Sequence, residues 1–155
     1  MEMPHITEET IRDQIKKRST PEIERAVRRL WMAHSIAEDR RDIPGLLATL
    51  TPDCVYAIVA TGHTYEGHPG AERFYTELLT AVPDAHFDLQ NIVIGPQGVW
   101  EEAHFTGTWE QDWLARKATG GAIDAIIQIY FPYDLERGLF LGERVFFEES
   151  KVLGD

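Results

Sequence analysis

The order of predicted elements along the chain constrains its fold more than any other feature. Helical patterns fill most of the first half, whereas four strand-like runs follow Val82 and Pro83 with no helix between them. These runs cover residues 85–94, 99–109, 122–131 and 139–147. Helices followed by consecutive hairpins indicate an α+β fold in which the helices cover one face of a strongly bent antiparallel sheet.

The first half is predicted as helices that flank one strand. A polar helix over 7–18, capped by Thr7, forms a surface arm, and an amphipathic helix starts at Thr20-Pro21 and runs to about residue 40. A short helix follows over 42–50, ended by Thr51-Pro52, and another starts at Pro69. Between them, 54–60 is nearly all apolar and predicts a strand, followed by a loop over 61–67.

Length and cysteine content predict one intracellular domain. The chain has 155 residues and a single cysteine, Cys54, so no intrachain disulfide can form and a reducing, cytoplasmic setting is expected. We expect a helical arm over 1–20 and the folded body over 21–153. The first residues have no basic segment before an apolar run, and no stretch approaches about 18 apolar residues, so neither secretion nor membrane insertion is predicted.

The charge is unevenly distributed. Residues 1–41 carry a net charge of +1, whereas residues 42–155 carry a net charge of −12. An acidic body repels phosphate backbones, so a nucleic-acid partner is not expected.

The run 122–131 suggests that both faces of the sheet are covered. One face is wholly apolar, and the other mixes Asp124 and Gln128 with Ile126 and Tyr130. The apolar face can pack under the helices and the mixed face against a second subunit, which predicts a homodimer.

A series of short motifs in a fixed order makes the chain resemble a known family. They are Trp31 to Leu47, Pro52-Asp53, Tyr65-Glu66-Gly67-His68, Phe74-Tyr75, Pro83-Asp84, Gly95-Pro96-Gln97-Gly98-Val99, Gly107-Thr108 and Gly142 to Glu148. From about residue 22 to 153 the chain is similar to the SnoaL-like polyketide cyclases and ester cyclases of the nuclear transport factor 2-like superfamily. The resemblance implies a cone-shaped α+β barrel with a mixed, mostly antiparallel sheet, a deep pocket under the helices and a dimer.

The resemblance also implies a candidate catalytic residue. Polyketide cyclases of this family close a ring by an intramolecular aldol step, with an Asp near the end of the last strand as acid/base. The matching position here holds Glu148. Apolar neighbours such as Phe147 would disfavour its charged form and suit it to proton transfer. Alternatively, Arg144 pairs with it, or Glu148 begins a solvated tail.

Further candidates come from the strand over 99–109. Glu102 and His104 share one face, where they could exchange a proton, and the alternate face carries Glu101 and Ala103. Alternation does not decide which face lines the pocket. If the Glu102 face points inward, His104 is a base or a hydrogen-bond donor; if it points outward, it belongs to a polar dimer surface.

The remaining candidates are single side chains. His63 is expected over the pocket mouth and His68 at a helix entry that also reaches the cavity. These two histidines lie in a glycine-bounded loop without a second ligand cluster, so no metal or other cofactor is predicted. We expect further pocket-lining groups at His34, Tyr56, Trp109, Tyr130 and Arg144.

Three hypotheses for function follow. The first is a cofactor-independent cyclase, isomerase or lyase that acts on a hydrophobic carbonyl compound, with Glu148 removing a proton and His104, His63 or Tyr56 stabilising the oxyanion. The second is a non-catalytic binding or interaction module of the same fold. The third is an epoxide hydrolase-type enzyme, which needs Asp124, Arg144 and Glu148 to converge.

Overall fold

The computed structural model describes residues 8–154, with side chains from residue 11 onward. Thr7, the expected cap of the first helix, lies outside these residues. The helices are α1 (Glu8–Lys16), α2 (Pro21–Asp39), α3 (Ile43–Leu47), α4 (Gly67–Ala81) and α5 (Glu149–Leu153). The strands are β1 (Leu50–Ile58), β2 (His63–Glu66), β3 (His86–Gly95), β4 (Gly98–Thr108), β5 (Ala122–Asp134) and β6 (Leu139–Phe147).

The six strands form one open, mixed sheet. Its order is β2-β1-β6-β5-β4-β3, in which β1 and β6 run parallel and every other pair is antiparallel. Register shifts interrupt the β1–β6, β3–β4 and β5–β6 pairings, and such bulges bend a strand and increase its twist. The predicted α+β fold with helices over a bent, mostly antiparallel sheet is confirmed.

Two boundaries in the first half differ from the prediction. Pro52 does not end a helix; it lies within β1, which begins at Leu50 and has a register shift before Val55. Proline is tolerated there because the irregular pairing does not require its missing N–H. Part of the predicted loop is β2, which pairs with β1 from Val55↔Glu66 to Ile58↔His63.

Helix α2 carries one wall of the site. Thr20 caps it by accepting a hydrogen bond from the Ile23 N–H at 3.2 Å, and Pro21 occupies its first turn. The chain leaves the helix at Arg41, whose φ of 57° is left-handed. The α2 face that holds His34 and Ala37 is buried against the sheet.

The sheet has one buried and one partly exposed face. On β5 the odd-numbered residues from Ile123 to Tyr133 are buried, whereas Ile126 is 49% exposed. On β4, which pairs with β5, Glu101 and Phe105 are buried and Trp100 is 42% exposed. The face of β4 that lines the interior is therefore the one carrying Glu101, Ala103 and Phe105.

Gly142 allows β1 and β6 to approach closely. Its φ is 120°, and a Cβ at this position would overlap the backbone of Val55. Only glycine fits this conformation without strain. The next residue, Glu143, has its side chain in the interior and is only 2% exposed.

No helix among residues 8–154 has both the length and the apolar character needed to span a membrane.

Candidate active site

Two neighbouring spaces lie between the helices and the inner face of the sheet. The first, here called the vestibule, has a volume of about 180 Å³ and is lined by Trp31, His34, Glu38, Phe87, Glu101 and Phe131, among others. The second, the chamber, has a volume of about 30 Å³ and is lined mainly by apolar side chains together with Glu38 and Glu143. Glu38 and Phe87 line both spaces, which are together called the cavity.

His34 is the centre of a buried hydrogen-bond network. Its Nδ1 lies 2.7 Å from Thr49 Oγ1, and its Nε2 lies 2.9 Å from Glu143 Oε1 and 3.0 Å from the Tyr75 hydroxyl. Both His34 and Glu143 are almost completely buried, at 1% and 2% exposure. The network joins α2 to α4 and β6 across the interior.

The hydrogen-bond pattern determines where the protons lie. Thr49 donates its only hydroxyl proton to the Leu46 carbonyl oxygen at 2.6 Å, so it must accept a hydrogen bond from His34 Nδ1–H. The Nε2 of His34 and the Oε1 of Glu143 are then held 2.9 Å apart, and two lone pairs at this distance would repel. A proton therefore lies between Glu143 and His34, as a neutral acid–imidazole pair or as a carboxylate–imidazolium pair.

Two tyrosines extend the network. Tyr75 donates to Glu143 Oε1 at 2.7 Å, and the Tyr56 and Tyr75 hydroxyl oxygens lie 3.0 Å apart. Burial, and then the charge of Glu143, raise the pKa of both phenols well above the usual value. Both hydroxyls therefore stay protonated and act as hydrogen-bond donors.

Glu101 provides a second acid on the opposite wall. Its Oε2 accepts a hydrogen bond from the Trp31 indole N–H at 2.8 Å, and the residue is 7% exposed. Burial, followed by the charge of Glu143, raises the pKa of Glu101 to about 7. Near neutral pH this carboxyl group therefore exists as both the acid and the base, as efficient proton transfer requires.

Glu38 completes the acidic group. One oxygen of Glu38, one oxygen of Glu143 and one ring nitrogen of His34 lie within 4.8 Å of one another. Burial, and then the charges of Glu143 and Glu101, raise the pKa of Glu38 well above the usual value. These three side chains are of types that can bind a cation, and no ion is needed to explain their hydrogen bonds.

Two of the predicted site residues belong to this network. His34, expected to line the pocket, contacts Glu143 and faces the vestibule. Tyr56 is fully buried and reaches the network through Tyr75.

The predicted placement of Glu148 inside the pocket is wrong. Glu148 is exposed, follows the end of β6, and accepts a hydrogen bond from the Ser150 hydroxyl at 3.1 Å. Alternation along β6 places Glu148 on the side of Arg144 and Phe146, whereas Glu143, Val145 and Phe147 line the chamber. The buried carboxylate of this strand is Glu143.

The other β4 candidates lie on the outer face of the sheet. Glu102 accepts a hydrogen bond from Asn91 at 2.9 Å, and His104 Nε2 lies 2.7 Å from Asp124. The sequence left two orientations open, and the structure has the one in which Glu102 and His104 do not line the pocket, because the alternate face with Glu101, Ala103 and Phe105 packs under the helices.

Tyr130 and Arg144 share the outer face. The Tyr130 hydroxyl donates to the Gln97 carbonyl oxygen at 3.1 Å, and the Arg144 guanidinium lies 5.8 Å from the Phe146 ring centroid. Neither side chain lines the vestibule or the chamber.

The last three candidates have local structural contacts. His63 Nδ1 lies 2.8 Å from Thr61 Oγ1, and His68 Nε2 donates to the Leu50 carbonyl oxygen at 3.1 Å. Trp109 is 2% exposed and donates its indole N–H to the Gln111 carbonyl oxygen. None of them lines the vestibule or the chamber.

Four acids of the cavity, Glu38, Asp39, Glu101 and Glu143, were not predicted as site residues from the sequence. Glu143 and Glu101 each alternate with apolar residues on an inward-facing strand, which is a usable signal for a buried carboxylate. Glu38 lies one helical turn after His34, on the same face of α2.

A larger depression lies elsewhere. It has a volume of about 550 Å³ and runs between α4 and residues 112–117 on the protein surface. The buried proton network lies outside it, so the smaller cavity is the better candidate site.

The comparison with known proteins agrees with the fold. The model of the SnoaL-like domain matches residues 27–140. The chain belongs to the SnoaL-like family. No curated protein matches the sequence.

Solved structures related to this SnoaL-like protein have the same fold at low sequence identity. A candidate SnoaL-like polyketide cyclase from Jannaschia sp. CCS1 is 16% identical, with a TM-score of 0.75 over 90% of this chain and 99% of that chain. A protein with a ketosteroid isomerase-like fold from Catenulispora acidiphila, in complex with trimethylamine, is 16% identical, with a TM-score of 0.65 over 87% and 92%. TerC, co-crystallised with polyporic acid, is 14% identical, with a TM-score of 0.63 over 79% and 92%.

The substitution Glu101→Gln tests the acid in the vestibule. Because the folded-state pKa of Glu101, about 7, exceeds the unfolded value of 4.5, this group lowers stability as pH rises between those values. The variant is expected to exceed the unfolding free energy of the wild type by less than about 1 kcal/mol at pH 5 and by about 3 kcal/mol at pH 8. Urea unfolding at both pH values measures the difference. An identical change between pH 5 and 8 in both proteins would contradict the assignment.

Proposed function

We propose that this SnoaL-like protein is a cofactor-independent acid/base enzyme, of the cyclase, isomerase or lyase type. Its substrate is a small hydrophobic carbonyl compound, and its base removes a proton next to the carbonyl group. The observation that carries the proposal is the buried 2.9 Å contact of His34 Nε2 with Glu143 Oε1 beside a cavity with a second acid, Glu101, whose pKa is raised to about 7.

Glu143 and His34 are assigned as the base. In the carboxylate–imidazolium form of the pair, Oε1 of Glu143 is bonded to His34 and Tyr75, and Oε2 is the atom that accepts the proton taken from substrate while His34 keeps its own. Tyr75 stabilises the carboxylate from one side, and Thr49 keeps the imidazole in the required orientation. General bases of this kind contribute about 10²- to 10⁴-fold to the rate.

Glu101 is assigned as the acid. It lies on β4, separated from Glu143 by β5, and lines the vestibule, whereas Glu143 lines the chamber, so a ligand would have to extend from one space toward the other to meet both carboxyl groups. In its protonated form Glu101 can donate a hydrogen bond to the carbonyl oxygen on which negative charge develops. In an aldol-type ring closure, the enolate returns to a carbonyl as its α-carbon bonds to a second carbonyl carbon, and the oxygen of that second carbonyl accepts the Glu101 proton.

The cavity size limits the substrate. The vestibule and chamber together are smaller than the roughly 300–1,000 Å³ of typical sites for drug-sized ligands. A single ring or a short chain is therefore the expected size. The molecules named for the related structures, polyporic acid and trimethylamine, differ too much in chemistry to indicate a substrate for this chain.

The epoxide hydrolase hypothesis loses its supporting residues. Asp124 contacts His104 on the outer face, Arg144 lies near Phe146, and Glu148 is exposed. These three side chains do not converge in the cavity.

Hydrogen–deuterium exchange at the α-carbon tests the proposal without knowledge of the substrate. The wild type is expected to accelerate loss of the α-proton NMR signals of cyclohexanone or 4-phenyl-2-butanone in D2O. Glu143→Gln should reduce this acceleration by about 10²- to 10⁴-fold, because the amide cannot accept the proton. Glu148→Gln distinguishes the buried carboxylate from the exposed one and should retain the exchange rate.

Two results would contradict the assignment. Exchange that persists in Glu143→Gln but is lost in Glu148→Gln would show that Glu148, and not Glu143, is the base. A wild type that accelerates neither ketone would favour a binding module that lacks the chemistry.

We also propose a homodimer formed through the outer face of the sheet. Trp100 is 42% exposed and stacks on Tyr130, with 5.7 Å between ring centroids, while Phe146 lies 5.3 Å from the Trp100 ring. Ile126 is 49% exposed on the same face. Aromatic and aliphatic groups clustered at the surface suit a protein interface.

Light scattering during size-exclusion chromatography tests the interface. The wild type is expected at twice the mass of one chain, and Trp100→Glu should yield the monomer by placing a charge within the contact. Ile15→Glu, on α1, makes the same change at a position 76% exposed and should leave the dimer intact. A monomeric wild type, or a dimeric Trp100→Glu variant, would disprove this arrangement.

A further inference from the structure

The cavity has an unusual charge. Its titratable lining residues, within the described part of the chain, are Glu38, Asp39, Glu101, Glu143 and His34, and neither a lysine nor an arginine lines it. The nearby Arg41 is exposed and directs its guanidinium to the Ala85 carbonyl oxygen at 2.5 Å. His34 shares its proton with Glu143, so Glu38 and Glu101 have no basic residue of the lining to themselves, and Arg41 acts on Glu38 only from outside the lining.

The acids are close enough to repel one another. Glu38 and Glu143 approach within 4.8 Å, and the charge of Glu143 acts on both Glu38 and Glu101. Buried like charges cannot all ionise without a compensating charge. A ligand that brings a positive charge would remove this repulsion, whereas a carboxylate or phosphate ligand would increase it.

The walls of the vestibule suit an organic cation. Trp31, Phe87 and Phe131 line the same space as Glu38 and Glu101. Aromatic faces attract alkylammonium groups, and the attraction is stronger where water is excluded. The combination of carboxylates and rings therefore matches a cation that has its own apolar surface.

We propose that the ligand of this cavity is a hydrophobic ammonium compound, with its charged nitrogen between Glu38 and Glu101 and its apolar part against the aromatic walls. This inference rests on the proposed function, because it names the substrate class of the same site. A substrate that carries both an amine and a carbonyl group satisfies both proposals.

A bare metal ion fits the geometry less well. The Nε2 of His34 is already within hydrogen-bond distance of both Glu143 and Tyr75, so coordination would disrupt the network. A metal also would not use the aromatic walls. Zn²⁺ is nevertheless included in the test as the competing cation.

Binding of a cation is coupled to proton release. A positive charge beside Glu101 favours its ionised form, so affinity should rise with pH up to about 7 and then level off. The groups that face Glu101 are His34, Glu38 and Asp39 from α2 and Glu143 from β6, while Phe87 and Leu89 of β3 are apolar. Glu38, whose pKa is also raised, acts in the same direction.

Three probes, each with one phenyl ring, test how the charge of the ligand affects its affinity. They are benzyltrimethylammonium, the neutral 4-phenyl-2-butanone and the anionic 3-phenylpropionate, each titrated calorimetrically into the full-length protein between pH 5.5 and 8. The charge of benzyltrimethylammonium does not change with pH, so any pH dependence of its affinity arises from the protein. The cation is expected to bind roughly tenfold or more tightly than the ketone at pH 8, and the anion most weakly.

Two variants locate the effect. Glu101→Gln and Glu38→Gln should each weaken the cation roughly tenfold while changing ketone affinity little, and Glu101→Gln should flatten the pH dependence. Glu110→Gln removes the same charge from an exposed position and should bind the cation as the wild type does. Far-ultraviolet circular dichroism confirms that each variant is folded.

The outcomes separate the two proposals. If the ketone binds as tightly as the cation, the charge inference is overturned and the acid/base proposal stands. If none of the three probes binds, the cavity is not a small-molecule site and both proposals fail. Binding of Zn²⁺ without binding of benzyltrimethylammonium would replace the organic cation with a metal.

Discussion

The contact between His34 and Glu143 is the interaction on which the arrangement of the interior depends. It joins α2, which covers the sheet, to β6, which lies near the middle of the sheet. Burying two such groups is unfavourable unless their hydrogen bonds are satisfied. Thr49 and Tyr75 supply the missing partners, so the polar network is stable only when α2, α4 and β6 are all in place. Removing one partner of a buried pair typically costs about 3–5 kcal/mol, which explains how one contact can determine the position of a helix.

The acids of the cavity act against stability. Glu38 and Glu101 are held where burial and mutual repulsion disfavour their ionised forms. A cavity of this kind lowers the stability of the empty protein, because the same positions could hold apolar residues without the penalty. Strain of this type is typical of functional sites, where a ligand or a reaction intermediate relieves it. The instability of the lining is therefore connected to its chemistry.

The sequence predicted the architecture better than the site. Helical spacing, the Gly-Pro-Gln-Gly turn after residue 94 and the alternation along β5 follow local rules, and these elements lie where expected. Site residues depend on which face of each strand packs under the helices, and alternation alone leaves this open. For β6 the resemblance indicated Glu148. However, Val145 and Phe147 lie on the same face of β6 as Glu143, and Arg144, Phe146 and Glu148 lie on the other face. The face with Glu143 points inward after Gly142, whose backbone conformation lets β6 pair closely with β1. The pairing of these distant strands is not encoded in any short pattern.

The protonation of His34 tests the central claim most directly. Long-range ¹H–¹⁵N NMR on protein labelled at histidine reports which ring nitrogen carries a proton. We expect Nδ1 to be protonated, because Thr49 can only accept a hydrogen bond at that position. We expect a second proton to be shared between Nε2 and Glu143. An Nδ1 without a proton would contradict it, since the imidazole would then not require the shared proton that links helix, sheet and proposed chemistry.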